Sequence, residues 1–311
     1  MALILPAGFP AVEHLKAEHI SIDGPFPGPF SDPFSDIMGE QKRPVRIAVL
    51  NLMPMKVTTE TDFVRVFADF PYLVRLDWMK VESHVSKHAP AGHMERFYRN
   101  FSEMQGEHYD GFIVTGAPLE QMEFEEVTYW EELQRIFDWA HRSVASTLYI
   151  CWAAQAALYH FHGVRKYAVP EKIFGIFPHR QLHPECPVFS GMDEVFLVPH
   201  SRHTTLRRED ILAVPELTLL SEGDVPGVHL VMAGDGREFF VTGHSEYAAD
   251  TLDNEYRRDV SKGLPIALPQ NYYRNDRPAD GPLLSWRTHG QRLYRNWLER
   301  YVIARNFQEH A

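Results

Sequence analysis

Buried strands and amphipathic helices alternate regularly between residues 43 and 161. Strongly apolar runs at 45–52, 73–81, 110–116 and 146–150 predict strands, and each is followed by apolar residues at helical spacing. Parallel strands need such crossover connections, and an almost unbroken apolar run is typical of a strand that is buried on both faces. The alternation therefore predicts an α/β fold with a doubly wound, mostly parallel sheet.

The same periodicities predict the remaining elements. Helices are expected at 58–70 (capped by Thr58 or Thr59), 93–104, 126–142, 152–161, 246–260 and 288–307. Strands are expected at 195–200, 217–220, 229–233 and 237–243, with AGDGRE as a hairpin turn between the last two.

The N-terminal arm, residues 1–42, differs in composition from the rest. Its segment 24–42 contains GPFPGPFSDPFSD, and this density of Pro and Gly excludes a helix or a central strand. We predict a partly irregular N-terminal arm over residues 1–42 and one domain over residues 43–311.

Charge and composition exclude several classes of protein. The 31 Lys and Arg residues against 42 Asp and Glu give a net charge of −11, so no basic field attracts nucleic acid. No apolar run reaches 18 residues, and no Lys or Arg precedes Lys16, so neither a membrane span nor an export signal is predicted. The two cysteines are too few for a disulfide framework. We expect a cytoplasmic protein without nucleic acid or membrane partners.

Cys151 is the candidate nucleophile. It lies where the strand at 146–150 meets the helix at 152–161, and open parallel sheets bind ligands at such junctions. The backbone N–H groups and the positive dipole end of a helix N-terminus favour the thiolate form of a cysteine. The alternative is a small buried hydrophobic residue, which is our interpretation of Cys186.

The segment VTGHSEY, residues 241–247, supplies a base and a residue to orient it. A strand that ends at Gly243 places His244 at its carboxyl edge, and Glu246 can hold one imidazole nitrogen while the other faces a sulfur atom. Cys151, His244 and Glu246 are therefore the predicted catalytic residues.

No metal is predicted. The pairs His179/His183 and His200/His203 could be proposed as ligands. Neither pair has a Cys or carboxylate at ligand spacing, so a structural histidine is the simpler interpretation of each.

Six motifs carry a resemblance to a known family. They are VLNLMPMKVTTE (49–60), TGAPLE (115–120), ICWAAQAAL (150–158), PHSRH (199–203), VTGHSEY (241–247) and NYYRND…SWRTHG (271–290). In this order they resemble the homoserine O-acyltransferases of methionine biosynthesis, which have the flavodoxin-like, class I glutamine amidotransferase-like architecture. The resemblance extends from about Pro44 to Leu298.

The resemblance implies a ping-pong acyl transfer. Cys151 would take the acyl group from acyl-CoA, His244 would deprotonate the acceptor hydroxyl, and Glu246 would hold the imidazole ring. The implied substrates are acetyl-CoA and L-homoserine, the CoA ester being a co-substrate and not a resident cofactor. A homodimer is also implied.

Three further residues match the acceptor-binding positions of the family: Lys172, Ser201 and Arg258. Homoserine is a zwitterion, so its pocket needs a cation for the carboxylate. The alternatives are a loop charge for Lys172, a turn serine for Ser201 and an exposed helix-face charge for Arg258.

Glu120 matches the position at which the family carries glycine with succinyl-CoA and glutamate with acetyl-CoA. A glutamate there would confront the second carboxylate of a succinyl group, and like charges in a poorly solvated pocket repel strongly. Glu120 therefore predicts an acetyl donor. The alternative is a solvated acid, since Glu123, Glu125 and Glu126 follow closely.

The oxyanion donors are predicted to be the Trp152 N–H and an N–H of Thr115–Ala117. A literal GxCxG elbow is absent, because Tyr149 and Ala153 occupy the glycine positions. The prediction of a nucleophile elbow at Cys151 therefore depends on the family resemblance.

Two positions depart from the family pattern. Ser245 replaces the usual proline between His and Glu, and Pro178 replaces a common acidic residue. Loss of the proline relaxes φ at the catalytic turn, but neither change removes a group from the predicted triad.

The sequence leaves three alternative functions open. A homoserine O-succinyltransferase would differ in the donor. A Cys-His-Glu amidohydrolase on the same fold would use water as acceptor, and a binding module would leave Cys151 unreactive.

Overall fold

The structure, a computed structural model, describes residues 3–18, 44–84 and 89–305. The described residues of Met1–Pro118, Phe124–Leu148 and Leu298–Ala311 form one compact unit, and those of Leu119–Glu123 and Tyr149–Trp297 form another. The irregular arm predicted at 24–42 lies outside the described residues. A domain boundary at residue 43 stays a prediction.

The first unit alternates strands with helices. In chain order it contains β1 (Leu3–Ile4), α1 (Pro10–Ala17), β2 (Val45–Leu50), α2 (Lys56–Ala68), β3 (Val74–Lys80), α3 (His93–Phe97), β4 (Tyr98–Asn100), α4 (Phe101–Met104), β5 (Gly111–Val114), α5 (Trp130–Ser143) and the start of β6 (Ser146–Ile150).

The strand pairs of this unit are parallel. β3 pairs with β1, β2 and β4, and β2 pairs with β5. Residues Ile47–Leu50 are fully buried, as an apolar strand covered on both faces requires. The predicted α/β class and the parallel pairing are confirmed.

Two helix predictions in the first unit are wrong in detail. α2 begins at Lys56 without a side-chain cap, and the hydroxyl of Thr59 donates to the carbonyl of Met55 instead of capping the helix. The helix predicted at 93–104 is interrupted by β4, whose Tyr98 lies opposite Trp78 of β3. Helical spacing of the apolar residues concealed this break, because strand pairing to β3 is a tertiary contact.

The second unit follows β6. It contains α6 (Trp152–His162), β7 (Tyr167–Gln181), β8 (Val195–Thr205), α7 (Arg208–Leu212), β9 (Leu217–Gly223), β10 (Gly227–Ala233), β11 (Glu238–Val241), α8 (Thr251–Ser261) and α9 (Arg287–Trp297). Its strands follow the order β11-β10-β9-β7-β8 and pair antiparallel. The hairpin predicted at AGDGRE is confirmed, with a tight turn at Gly234–Gly236.

Three features of the second unit differ from expectation. β7 was not predicted, because its polar residues and two prolines leave only a short apolar run at 173–177. α8 begins at Thr251 and not at residue 246, since residues before it form the turn after β11. The helix predicted at 288–307 is observed as α9, which ends at Trp297 and is followed along the chain by a π-helical segment at Leu298–Ile303 that belongs to the first unit.

Among the described residues, no helix is both long enough and apolar enough to traverse a bilayer.

Candidate active site

Cys151 occupies a strained turn between β6 and α6. Its backbone angles are φ 53° and ψ −114°, in a region that L residues rarely adopt. Its N–H donates to the carbonyl of Val241 at 2.7 Å, and its carbonyl accepts from the N–H of Gln155 at 3.2 Å. The turn thus has the backbone form of a nucleophile elbow although the flanking glycines are missing.

The residues at the usual glycine positions are accommodated by packing. The ring of Tyr149 stacks on that of Phe240, with centroids 5.4 Å apart and planes 11° from parallel. Ala153 is fully buried in the first turn of α6. A large side chain two residues before the nucleophile is therefore tolerated because β11 offers it an aromatic partner.

The structure brings the three predicted catalytic residues together. His244 forms a hydrogen bond with Cys151, and its Nδ1 lies 2.6 Å from Oε1 of Glu246. Because Glu246 holds Nδ1, Nε2 is the nitrogen available to the sulfur. All three side chains are buried. Ser245, in place of the family's proline, does not prevent this contact.

Glu246 and the backbone of His244 are held by further contacts. The hydroxyl of Tyr294 donates to Oε2 of Glu246 at 3.1 Å. The N–H of His244 donates to the carbonyl of Pro199 on β8 at 2.9 Å. The imidazole also stacks on Tyr247 at 4.2 Å. These contacts fix the orientation of the ring relative to the sulfur.

The electrostatics of the site favour a protonated His244. Burial alone lowers the pKa of His244, but the charges of Glu246 and Cys151 outweigh it and raise this pKa well above 6.5. An imidazolium next to a cysteine favours the thiolate, which is the nucleophilic form. The arrangement can therefore attack a carbonyl carbon and return a proton to a leaving group.

Gly243, between β11 and His244, has no room for a side chain. A Cβ there would lie 2.4 Å from Cγ1 of Val198 and 3.0 Å from the ring of His200. We expect Gly243→Ala to lower the free energy of unfolding by about 1–3 kcal/mol, measured by urea denaturation. The matched control is Gly106→Ala, whose Cβ would meet no atom within 4 Å. Equal losses in the two variants would contradict this interpretation.

The predicted acceptor-binding residues converge on one carboxylate, Glu255. Its Oε1 pairs with Nζ of Lys172 at 2.7 Å and with Nη2 of Arg258 at 3.4 Å, and its Oε2 accepts from the hydroxyl of Ser201 at 2.8 Å. Lys172 lies on β7 and Ser201 on β8, so neither is in a loop or turn. Glu255 was not among the predicted binding residues, although it precedes Arg258 by one helical turn.

Glu120 is held in place and is not a freely solvated acid. Its Oε2 accepts from the backbone N–H of His203 at 2.7 Å. Nζ of Lys166 donates to its backbone carbonyl at 2.7 Å. The buried guanidinium of Arg202 interacts electrostatically with both Cys151 and Glu120, while burial lowers the pKa of Arg202 to about 10. Glu120 and the sulfur of Cys151 therefore both interact with the charge of Arg202.

His179, His200 and His229 form a buried cluster whose ring nitrogens lie within 4.8 Å of one another. Nε of Arg202 donates to Nδ1 of His200 at 3.2 Å, so His200 carries its proton on Nε2 and faces Nε2 of His179 at 3.2 Å. Nδ1 of His179 donates to the carbonyl of Phe177 at 3.0 Å. These bonds occupy the lone pairs with which His179 and His200 would bind a metal. They therefore favour a chain of hydrogen bonds over a metal site.

The predicted oxyanion donors lie in different units. The Trp152 N–H lies at the start of α6 in the second unit, and Thr115–Ala117 lies in the first unit. Their joint role stays a prediction.

Comparison with known proteins identifies the family. The family model described as homoserine O-succinyltransferase matches residues 2–307. The homoserine O-acetyltransferase of Bacteroides fragilis is 57% identical over 302 residues, which is 97% of this chain and 96% of the relative. That of Parabacteroides distasonis is 56% identical, covering 97% of this chain and 94% of the relative. The chain belongs to the homoserine O-acyltransferase family. The resemblance carried by the six motifs is confirmed.

Solved structures agree on the fold of this acyltransferase family member. A putative GMP synthase protein from Thermoplasma acidophilum matches with a TM-score of 0.54 at 14% identity, over 86% of this chain and all of that chain. A glutamine amidotransferase from Thermotoga maritima matches with a TM-score of 0.54 at 14% identity, over 84% of this chain and 99% of that one. At this identity the likeness shows the fold alone, and the predicted fold, that of the glutamine amidotransferase-like proteins, is confirmed.

Proposed function

We propose that the protein transfers an acetyl group from acetyl-CoA to the hydroxyl of L-homoserine through a thioester on Cys151. The observation that carries this proposal is the buried contact of Cys151 with His244, whose ring Glu246 holds at 2.6 Å. Relatives at 57% and 56% identity are named homoserine O-acetyltransferase, which supports both the acceptor and the donor.

In the first half-reaction Cys151 is acetylated. The thiolate attacks the carbonyl carbon of acetyl-CoA, and the tetrahedral intermediate collapses as the C–S bond to CoA breaks. His244 gives its proton to the departing CoA sulfur. One thioester replaces another, so this step is nearly isoenergetic.

In the second half-reaction the acetyl group passes to the acceptor. Neutral His244 removes the hydroxyl proton as the oxygen attacks the thioester carbonyl, and Glu246 stabilises the imidazolium that forms. The C–S bond to Cys151 breaks, and the sulfur leaves as the thiolate. The products are an O-acetyl ester and the starting His244–Cys151 pair.

The proposed donor preference depends on Glu120. We expect Glu120→Gly to raise the ratio of succinyl to acetyl transfer by about tenfold or more, because it removes a charge that opposes the succinyl carboxylate. The measurement is kcat/KM for the two CoA esters with homoserine as acceptor. The matched control is Glu123→Gly, an exposed acid of the same segment. An unchanged ratio in Glu120→Gly would remove Glu120 from donor selection.

A matrix of donors and acceptors tests the overall proposal. Acetyl-CoA and succinyl-CoA are each combined with homoserine and serine, and the combination of acetyl-CoA with homoserine is expected to be fastest. Acetyl-enzyme should also be discharged much faster by homoserine than by water. Rapid hydrolysis without ester formation would instead favour the amidohydrolase alternative.

We further propose that the protein is a cytoplasmic homodimer that needs no metal and no resident cofactor. Family resemblance supports the dimer, and sedimentation would measure it. The aromatic residues of α9 do not bear on this, because Tyr294 and Trp297 are buried in the chain itself.

A further inference from the structure

We propose that Arg202 determines the charge of the acyl group that the protein accepts. Glu120 offsets the charge of Arg202 here, and the distal carboxylate of a succinyl group would do so if Glu120 were absent. This role rests on the proposed function, because it explains how Glu120 selects acetyl-CoA. It adds an attraction by Arg202 to the repulsion by Glu120.

Arg202 is a buried cation whose hydrogen bonds all go to neutral groups. It is 1% exposed. Its Nε donates to Nδ1 of His200 at 3.2 Å, and its two Nη atoms donate to the carbonyls of Thr204 and Pro226. Burial lowers the pKa of His200 well below 6.5, so this ring is neutral. No carboxylate in the described part of the chain forms an ion pair with Arg202. A buried cation is costly unless a negative group offsets it nearby.

Arg202 faces the catalytic turns from β8. Side chains alternate along a strand, so His200, Arg202 and Thr204 share one face, and all three are buried. On one side of Arg202, the ring of His200 lies against Gly243, the residue before His244. The neighbour of Arg202 on this side therefore contacts the turn that carries the catalytic base.

The neighbour on the other side is tied to the turn of the nucleophile. The hydroxyl of Thr204 donates to Oε1 of Gln155 at 2.9 Å. The backbone N–H of Gln155 donates to the carbonyl of Cys151 at 3.2 Å. Arg202 thus lies between a residue that contacts the turn of His244 and one that is tied to the turn of Cys151.

Two negative groups offset the charge of Arg202 through space. Burial lowers the pKa of Arg202 to about 10, and the charges of Cys151 and Glu120 act in the opposite direction. Oε2 of Glu120 accepts from the N–H of His203, the residue after Arg202, at 2.7 Å, and Oγ1 of Thr204 lies 3.5 Å from the same oxygen. The Glu120 carboxylate is therefore fixed beside the strand that carries Arg202.

Acylation removes one of these two negative charges. The thiolate of Cys151 becomes a neutral thioester, whereas Arg202 stays protonated at neutral pH. In an acetyl-enzyme Glu120 still offsets the charge of Arg202. Without Glu120, an acetyl group would leave Arg202 without either counter-charge, but a succinyl group would bring its own carboxylate. Arg202 with a glutamate therefore suits a neutral acyl group, and Arg202 without one suits an anionic acyl group.

The test uses two donors that differ in charge and hardly in size. Succinyl-CoA is compared with succinamoyl-CoA, in which an amide replaces the distal carboxylate. The kcat/KM of each donor is measured in wild-type protein and in Glu120→Gly, with homoserine as acceptor. If Glu120 acted by repulsion alone, its removal would make the two donors equal. Attraction to Arg202 makes the anionic donor the better one.

We expect wild-type protein to prefer succinamoyl-CoA to succinyl-CoA by about tenfold or more. In Glu120→Gly the order should reverse, with succinyl-CoA preferred by about tenfold. Equal constants for the two donors in Glu120→Gly would overturn the proposal.

Variants of Arg202 in the Glu120→Gly background assign the attraction to this residue. Glu120→Gly/Arg202→Met should use the two donors equally within about twofold, because no cation remains to pair with the carboxylate. Glu120→Gly/Arg202→Lys keeps the charge and should keep a preference for succinyl-CoA of at least about threefold. A purely structural role would lower both constants and leave their ratio unchanged, so a preference that persists in the Met variant would overturn the proposal. If that variant does not fold, Arg202→Gln provides the same comparison.

The matched control is Arg208→Met in the Glu120→Gly background. The side chain of Arg208 on α7 is 49% exposed and pairs with Glu222. This control should keep the tenfold preference of Glu120→Gly within about twofold. If the wild-type protein does not acetylate homoserine, the proposed function fails. If it does, and Glu120→Gly prefers succinyl-CoA and succinamoyl-CoA equally, only the role of Arg202 fails.

Discussion

Replacing Cys151 with alanine is expected to lower kcat for acetyl transfer by about 10⁴-fold or more. The reason is that no sulfur remains at the elbow to form the thioester, while His244 and Glu246 stay in place. Steady-state assays with homoserine measure the loss. Incubation with acetyl-CoA alone, followed by mass spectrometry, should show one acetyl group on Cys151 in the wild-type protein and none in the variant.

Cys186→Ala is the matched control for this experiment. Cys186 is the other cysteine of the chain and is also buried, in the short segment before β8. It lies outside the proposed machinery, so its replacement should leave kcat within about twofold of wild type. An acetyl group found on Cys186, or a Cys151→Ala variant that keeps more than a tenth of the activity, would contradict the nucleophile assignment.

Glu246→Gln is expected to lower kcat by about 10⁴-fold, the loss that an amide in place of the orienting carboxylate causes in a serine–histidine–aspartate triad. The amide cannot stabilise the imidazolium, and its NH₂ group can present a donor to Nδ1 in place of an acceptor. Tyr294→Phe provides the graded comparison, since it removes only the 3.1 Å bond to Oε2 and keeps the carboxylate. A smaller loss in Glu246→Gln than in Tyr294→Phe would contradict the role of Glu246.

Glu246→Gln is also expected to change how the free energy of unfolding depends on pH. The raised pKa of His244 means that protonated His244 contributes stability at pH values below 6.5, and this contribution is lost as pH rises through the pKa in the folded protein. Without the Glu246 charge this pKa falls, so the contribution shrinks. The difference in free energy of unfolding between wild type and Glu246→Gln should be larger near pH 6 than near pH 9, as measured by urea denaturation at about these values. A constant difference would contradict the raised pKa.

The parallel strands of the first unit could be predicted from local sequence patterns. The run at 45–52 is continuously apolar because β2 is covered on both faces, and its burial is visible in the sequence itself. β7 could not be predicted in this way. Its 15 residues mix polar, apolar and proline positions, and it is a strand because β8 and β9 pair with it. Pairing between distant segments leaves little trace in local composition.

The candidate catalytic residues were also accessible from sequence. Cys151 and His244 each follow the end of a predicted strand, and the chemistry of a thiol, an imidazole and a carboxylate limits the roles that they can take. Glu255 was not accessible in this way. Glutamate is common in charged helices, so Glu255 does not stand out in the sequence. Its role depends on its contacts with Lys172 and Ser201, which lie on two different strands.

Family, fold class and the chemical groups of the site followed from the order and identity of residues along the chain. Three features depend on tertiary contacts. They are the strained backbone of Cys151, the positions of the protons in the hydrogen-bonded His179–His200 chain, and the convergence of three side chains on Glu255. The physical reason is distance. Local patterns encode burial and helix or strand periodicity over a few residues, whereas charge pairing and proton positions are decided by groups that folding brings together from remote parts of the sequence.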